Sequence, residues 1–337
     1  MSSPLVAIGA LGGTIASTSD ADDGSEIVPT LSAERLAAAV PGLGAIATVR
    51  AETLAQLPSP SLDEPTVLRT LRWARDAVDA GAAGVVITQG TDTLEESAYL
   101  LDLFWDRPEP LVLTGAMRSA QAAGADGPAN LLTAVRCALA PGSRERGALV
   151  AFDDEVHQAR WVAKTDSMST SAFRSAGFGP IGRCVEAEVV YGVPASRAPA
   201  LDLPSADTPD TPDPRVPLLA TYLGDDGHVL DAVRDSGVDG VVIAGFGAGH
   251  VSAAMARAVG RAAERMPVVF ASRTGSGPTG RAMYGYPGSE IDLLARGAIG
   301  AGWLPPVKAR LLLWALLATG PADTARLRDE LATRGTP

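Results

Sequence analysis

Seven short apolar runs, separated by segments patterned for helix, constrain the fold of this chain more than any other feature. The runs are Leu5–Gly9, Gly84–Thr88, Leu111–Thr114, Ala148–Phe152, Leu218–Leu223, Gly240–Gly245 and Val268–Ser272. Helical patterning covers Leu62–Ala80, Thr93–Trp105, Gly127–Ala140, Val229–Ser236, Ser252–Met266, Pro306–Thr319 and Asp323–Arg334. Strands that alternate with helices build βαβ units and a mostly parallel sheet, because a parallel neighbour is reached only through a crossover. The predicted class is α/β. Two helix starts carry capping signals, Ser61 with Glu64 and Thr93 with Glu96.

The alternation breaks at Val193–Pro217, where seven prolines forbid a regular helix or a central strand. This stretch reads as an interdomain linker, with one long surface loop as the alternative. The linker reading gives a larger N-terminal α/β domain over 1–192 and a smaller, Rossmann-like C-terminal one over 218–337. A chain of 337 residues has ample core for both.

Composition removes whole classes of function. The net charge of −11 repels phosphate backbones, so neither nucleic acid nor an anionic membrane is an expected partner. Cys137 and Cys184 allow at most one disulfide and form no C-x-x-C motif. There is no basic leader region and no long uncharged apolar run, so the expectation is a cytoplasmic protein with reduced thiols. His157, His228 and His250 share no ligand spacing, so no metal is expected. Both G-x-S-x-G and the Walker phosphate loop are missing, and a Ser-His-Asp triad is open only through His157 or His250.

Three stretches remain that could carry chemistry. The first, GALGGTIAST (9–18), follows the first strand and nearly matches a dinucleotide fingerprint, with Glu34 where a ribose-binding acid would sit. Its spacing is wrong, and Asp20, Asp22, Asp23 and Glu26 would repel phosphate, so it reads instead as a turn presenting Thr14. In the second, ITQGTDTLEES (87–97), capping and the helix dipole explain Asp92, Thr93 and Glu96 but leave Thr91 unexplained. In a doubly wound sheet Thr14 and Thr91 both lie just beyond strand carboxyl ends, where ligands bind. The third, VAKTDS (162–167), holds Lys164, one of two lysines beside Lys308 in a chain whose other basic residues are arginine. A lysine can serve as a proton acceptor where arginine cannot.

Together these stretches resemble the L-asparaginase/glutaminase family of amidohydrolases. LGGTIAS (11–17), LPSPSLDE (57–64), ITQGTDTLEESAYLLDL (87–103), LTGAMR (113–118), ADGPANLL (125–132), VAKTDS (162–167) and KARLLL (308–313) stand in the family's order. The resemblance implies hydrolysis of an amino acid side-chain amide through an acyl-enzyme, without cofactor, L-asparagine being the expected substrate. It places Thr14 as nucleophile, Thr91 as second catalytic threonine, and Asp92 and Lys164 as partners of Thr91. It also places Ser59 at the substrate carboxylate, and Gly13, Thr91 and Ala116 along the pocket. It implies a homodimer or homotetramer, with Glu290 reaching a neighbour's substrate amine. Three departures stand out. Ser17–Thr30, the mobile loop where the family usually carries an activating tyrosine, has none, leaving Ser19, Ser25 or Glu26 as stand-ins or the loop as a lid alone. Gln89 replaces the usual histidine, which reads as a mild change, and Ala248 replaces a frequent asparagine. A related amidase for larger amides, and a non-catalytic amino acid binder, are the alternatives.

Overall fold

Gly84–Thr88, Leu111–Thr114, Ala148–Phe152 and Val268–Ser272 form strands with the bounds read from sequence. Every residue of these runs is buried, as in Gly240–Gly245, whose strand starts one residue later at Val241. The structure is a computed structural model that describes residues 3–19, 27–29, 31–204, 213–321 and 323–337. The chain divides into two units, Met1–Leu201 and Asp202–Pro337.

The first unit holds strands β1 (Leu5–Ala10), β2 (Ser17–Ser19), β3 (Ile27–Pro29), β4 (Thr48–Thr53), β5 (Gly84–Thr88), β6 (Leu111–Thr114) and β7 (Ala148–Phe152). It continues with β8 (Glu155–Gln158), β9 (Ala163–Lys164), β10 (Phe173–Arg174), β11 (Gly182–Val185) and β12 (Glu188–Tyr191). Its helices are α1 (Ala33–Ala38), α2 (Leu43–Ile46), α3 (Glu64–Asp79), α4 (Leu94–Phe104) and α5 (Gly127–Leu139). Eight strands form one sheet in the order β12-β11-β8-β7-β6-β5-β1-β4. The run β4-β1-β5-β6-β7 is parallel, and β8, β11 and β12 extend it antiparallel. β4, at one edge, and the antiparallel strands β8, β11 and β12 were missed in the sequence. β4 alternates half-buried and exposed residues, and the others are four residues each.

Two helix starts differ from expectation. Pro65 sits in the first turn of α3, and the Asp63 carboxylate, not Ser61, accepts from the Thr66 amide at 2.9 Å. Ser61 lies one turn earlier, in a 3-10 turn over Ser59–Ser61. Thr93 caps nothing through its side chain. Its hydroxyl donates to the Ser59 carbonyl at 2.9 Å, so tertiary structure has taken over a residue that reads locally as a cap.

The second unit is a parallel four-stranded sheet, β13 (Leu218–Ala220), β14 (Val241–Gly245), β15 (Val268–Ser272) and β16 (Ile299–Gly300), in chain order. Its helices are α6 (His228–Asp235), α7 (Ala253–Ala263), α8 (Glu290–Ala295), α9 (Pro306–Ala318) and α10 (Thr324–Arg334). Ile243, Met255, Val259, Phe270 and Leu293 build its core. The described part of the proline-rich stretch contains no helix or strand. Its early portion is strapped to the first unit, where Arg146 donates to the Val193 and Pro194 carbonyls and Leu201 N–H donates to Leu103. Its last residues are tied to the second unit through Arg215 N–H to Asp239 and Val242 N–H to Pro217. Among the described residues no helix is long and apolar enough to cross a membrane.

Candidate active site

Strand order creates the crevice. From β1 the chain pairs first on one side, as β4, then crosses through α3 to pair on the other, as β5. At such a reversal the connections leave the sheet in opposite directions and open a cleft at the carboxyl ends. β1 and β5 end level, with Ala10 beside Thr88. Thr14 follows the first strand in a 3-10 turn (Thr14–Ala16), and Thr91 follows the second in another (Thr91–Thr93).

The two turns meet backbone to backbone. Gly13 has φ 83° and ψ −176°, a region essentially reserved for glycine, and a Cβ there would overlap Gly90 N and Cα. A Cβ on Gly90 would in turn stand 2.7 Å from Ser59 Oγ. Small residues therefore let three chain segments converge where no side chain fits. The Ser17 hydroxyl closes the first turn by donating to Gly13 O at 2.8 Å.

Ser59 belongs to the same assembly. Buried at 3% exposure, its Oγ accepts from the Asp92 amide at 3.2 Å, which leaves its own proton available to an incoming acceptor. Lys164 arrives from β9, where it pairs with Phe173 across the short hairpin with β10. Its Nζ donates to Thr91 Oγ1 at 2.9 Å and to Asp92 Oδ1 at 2.6 Å. Its amide donates to Glu95 Oε1 at 3.1 Å, which fixes the stem of the side chain. The ammonium is mostly buried while Asp92 is 59% exposed, so the pair has a dry end on Thr91 and a wet end toward the cleft. Among the described residues, no hydrogen bond joins the Thr14 hydroxyl to Thr91 or Lys164, and none takes up the Thr91 amide N–H. Such free N–H groups are normal at the start of a helical turn and are ready donors for an anion.

Ala116 completes the wall. It follows β6, is buried, and packs with Ile15, Ala16 and Leu36 beside the Thr14 turn. The sequence reading did not single out the residues that hold it there. Asp126 accepts from the Met117 and Arg118 amides at 2.9 Å each. Asn130 donates to Gly115 O at 3.0 Å and accepts from the Asp153 amide at 3.0 Å, tying the ends of β6 and β7 together. The ADGPANLL motif contains both, and an Asn leading into an apolar helical run was the signal available.

Residues 5–196 match the family model "Asparaginase, N-terminal", and residues 215–330 match "Glutaminase/Asparaginase C-terminal domain". The chain belongs to the asparaginase family. L-asparaginase 2 of Escherichia coli is 34% identical over 92% of this chain and 88% of its own. The probable L-asparaginase of Deinococcus radiodurans is 36% identical over 94% of both chains. The crystal structure of a probable cytoplasmic L-asparaginase from Campylobacter jejuni superposes with a TM-score of 0.86 at 32% identity, covering 98% of this chain and 99% of that one.

Glu290, the residue that the asparaginase resemblance sets toward a neighbour's substrate, is held by local bonds. It opens α8 in the second unit, its side chain wholly buried, and both oxygens are engaged there. Oε1 accepts from the Met283 and Tyr284 amides at 2.7 Å each, and Oε2 meets His250 Nε2 at 2.8 Å. His250 Nδ1 meets the Tyr286 hydroxyl at 2.7 Å. Burial disfavours the charged carboxylate, yet the amides of Tyr284 and Met283 and the His250 contact outweigh it and hold its pKa below the usual glutamate range. A carboxylate used this way organises the 283–286 loop. Ala248 lies in the turn bridged by Phe246 and His250, and its carbonyl accepts from Gly280.

His157 is the other histidine left open. It sits fully buried, with Nδ1 2.9 Å from the buried Ser175 hydroxyl and Nε2 3.4 Å from Glu155. A serine enclosed in this way is a packing element, not an accessible nucleophile. Of the lid stand-ins, Ser25 and Glu26 lie outside the described residues, as do Asp20, Asp22 and Asp23; Ser19 ends β2. No cluster of three His, Cys, Asp or Glu side chains suited to a metal occurs among the described residues.

Proposed function

We propose that this amidohydrolase hydrolyses L-asparagine to L-aspartate and ammonia through an acyl-enzyme on Thr14. The observation that carries the reading is Lys164 held between Thr91 and Asp92 across the Gly13–Gly90 contact from Thr14. Thr14 Oγ1 attacks the side-chain amide carbon. The C–O bond forms, the C–N bond breaks, and nitrogen leaves as ammonia with the proton given up by Thr14. Thr91 and Lys164 relay that proton, and Asp92 keeps Nζ in place. Water then cleaves the ester by the same relay in reverse order.

The remaining assignments follow from donor and acceptor geometry. Ser59 donates to the substrate α-carboxylate, since its oxygen already accepts from Asp92 N–H. The exposed oxygen of Asp92 takes the α-ammonium. Free amides beside Gly13 and at Thr91 receive the oxyanion, with Ala116 lining the same wall. We place the enzyme in the cytoplasm as a homodimer or homotetramer. Its two unpaired thiols and the Campylobacter structure support that compartment, although a Haemophilus influenzae relative is called periplasmic.

Ammonia release from L-asparagine, L-glutamine and D-asparagine tests the proposal in wild type and Thr14→Ala. Thr14→Ala should be inactive with L-asparagine. Wild type without activity on any free amino acid amide refutes the reading, and preference for a capped or peptidyl amide moves it to a larger substrate.

A further inference from the structure

Gln89 links β5 to the Thr91 turn and is wholly buried. Its backbone N–H completes the ladder to β6 by donating to Thr114 O at 3.1 Å. Its side-chain Nε2 donates to the carbonyl of Gly90, the next residue, at 3.3 Å. Its Oε1 has no hydrogen-bond partner, although it is buried. An unpaired buried carbonyl is costly, and methionine would fill the same space without that cost. Packing alone therefore does not account for an amide here, and the bond from Nε2 does.

That bond falls at a decisive peptide. The Gly90–Thr91 peptide is trans, so its C=O and N–H point in opposite directions from one plane. A donor holding the Gly90 carbonyl on the core side fixes the Thr91 N–H on the other side, and that N–H has no acceptor among the described residues. Gly90 lacks a side chain to restrict this rotation, and the backbone of Gly13 is packed against it. We propose that Gln89 is a positioning residue: its side-chain amide anchors the Gly90 carbonyl and so aims the Thr91 N–H, and the Thr91 hydroxyl beside it, at the reacting amide. The inference rests on the proposed amide hydrolysis at Thr14.

Three variants separate this role from simple filling of space. Gln89→Met keeps length and loses the donor, so kcat should fall about 3- to 10-fold, the scale of one neutral hydrogen bond, with KM little changed. Gln89→His restores a ring N–H and should recover most of the loss. Gln89→Glu donates only when protonated, and burial raises the pKa of such a carboxyl. Its activity relative to wild type should therefore rise as pH falls, a trend absent from Gln89→Met. Crystal structures of wild type and Gln89→Met supply a readout independent of turnover, with the Gly90–Thr91 peptide expected to rotate in the variant. Wild type inactive on every amide, with the peptide rotated in Gln89→Met, refutes the function and leaves the positioning intact. An unrotated peptide, or Gln89→Met within twofold of wild type in kcat, overturns the positioning role, as does Gln89→Glu that tracks Gln89→Met at every pH. Should Gln89→Met not fold, the pH trend of Gln89→Glu against Gln89→His decides.

Discussion

Replacing Gly13 by alanine tests the idea that backbone contact, not side-chain packing, sets the spacing of the two threonines. Two costs follow from the structure. At φ 83° and ψ −176°, any residue but glycine is strained by about 1–3 kcal/mol. The added methyl also overlaps Gly90 N and Cα, which belong to the chain and cannot swing aside. Overpacking of this kind costs about 1–3 kcal/mol more, so the loss of stability is about 2–6 kcal/mol in all. Gly42→Ala is the control. It also has positive φ, 79°, but a Cβ there meets nothing within 4 Å, so only the left-handed penalty of about 1–2 kcal/mol applies. Urea unfolding gives the two stabilities. Ammonia release gives the second consequence: if the turn moves by about 1 Å to relieve the overlap, turnover falls about 100-fold. Gly13→Ala as stable as Gly42→Ala, with turnover intact, would refute the reasoning.

Lys164→Met should separate chemistry from stability. Its partner Asp92 is largely exposed, so thermal unfolding should shift by less than about 1 kcal/mol while ammonia release drops at least about 100-fold. A large stability loss with matching inactivity would instead mark Lys164 as structural. Glu290→Gln addresses acid sensitivity. The folded pKa of Glu290 lies below the unfolded one, so its stabilisation is complete above about pH 4.3 and is lost as pH falls through the folded value. Melting temperatures from pH 6 down to about pH 3 should therefore fall less steeply in Glu290→Gln than in wild type; parallel slopes would contradict the assignment.

Much of this architecture was legible because burial on both faces leaves one pattern per element. β5, β6, β7 and β15 were read to the residue, and the pairing of Thr14 with Thr91 followed from where parallel strands end. β4 was missed because an edge strand half in water, Thr48–Thr53, carries no continuous apolar run. Thr93 and Ser61 were misread because a local capping pattern does not reveal a distant carbonyl or a competing aspartate. Spacing along the chain located Glu290, but only the folded loop supplies the two amides and the imidazole that it binds. The scarcity of lysine made Lys164 conspicuous, yet the strands of the β9–β10 hairpin that delivers it are only two residues long and left no periodicity to detect.

The meeting of Gly13 and Gly90 also bears on how such a chain can change. Because two stretches of main chain touch there, backbone atoms set the closest approach of the two turns. Residues bordering the cleft are thereby released from that duty. New substrates can be sampled by altering the rim while the reacting groups keep their register, and the one substitution class that this division of labour forbids is any side chain at the junction itself.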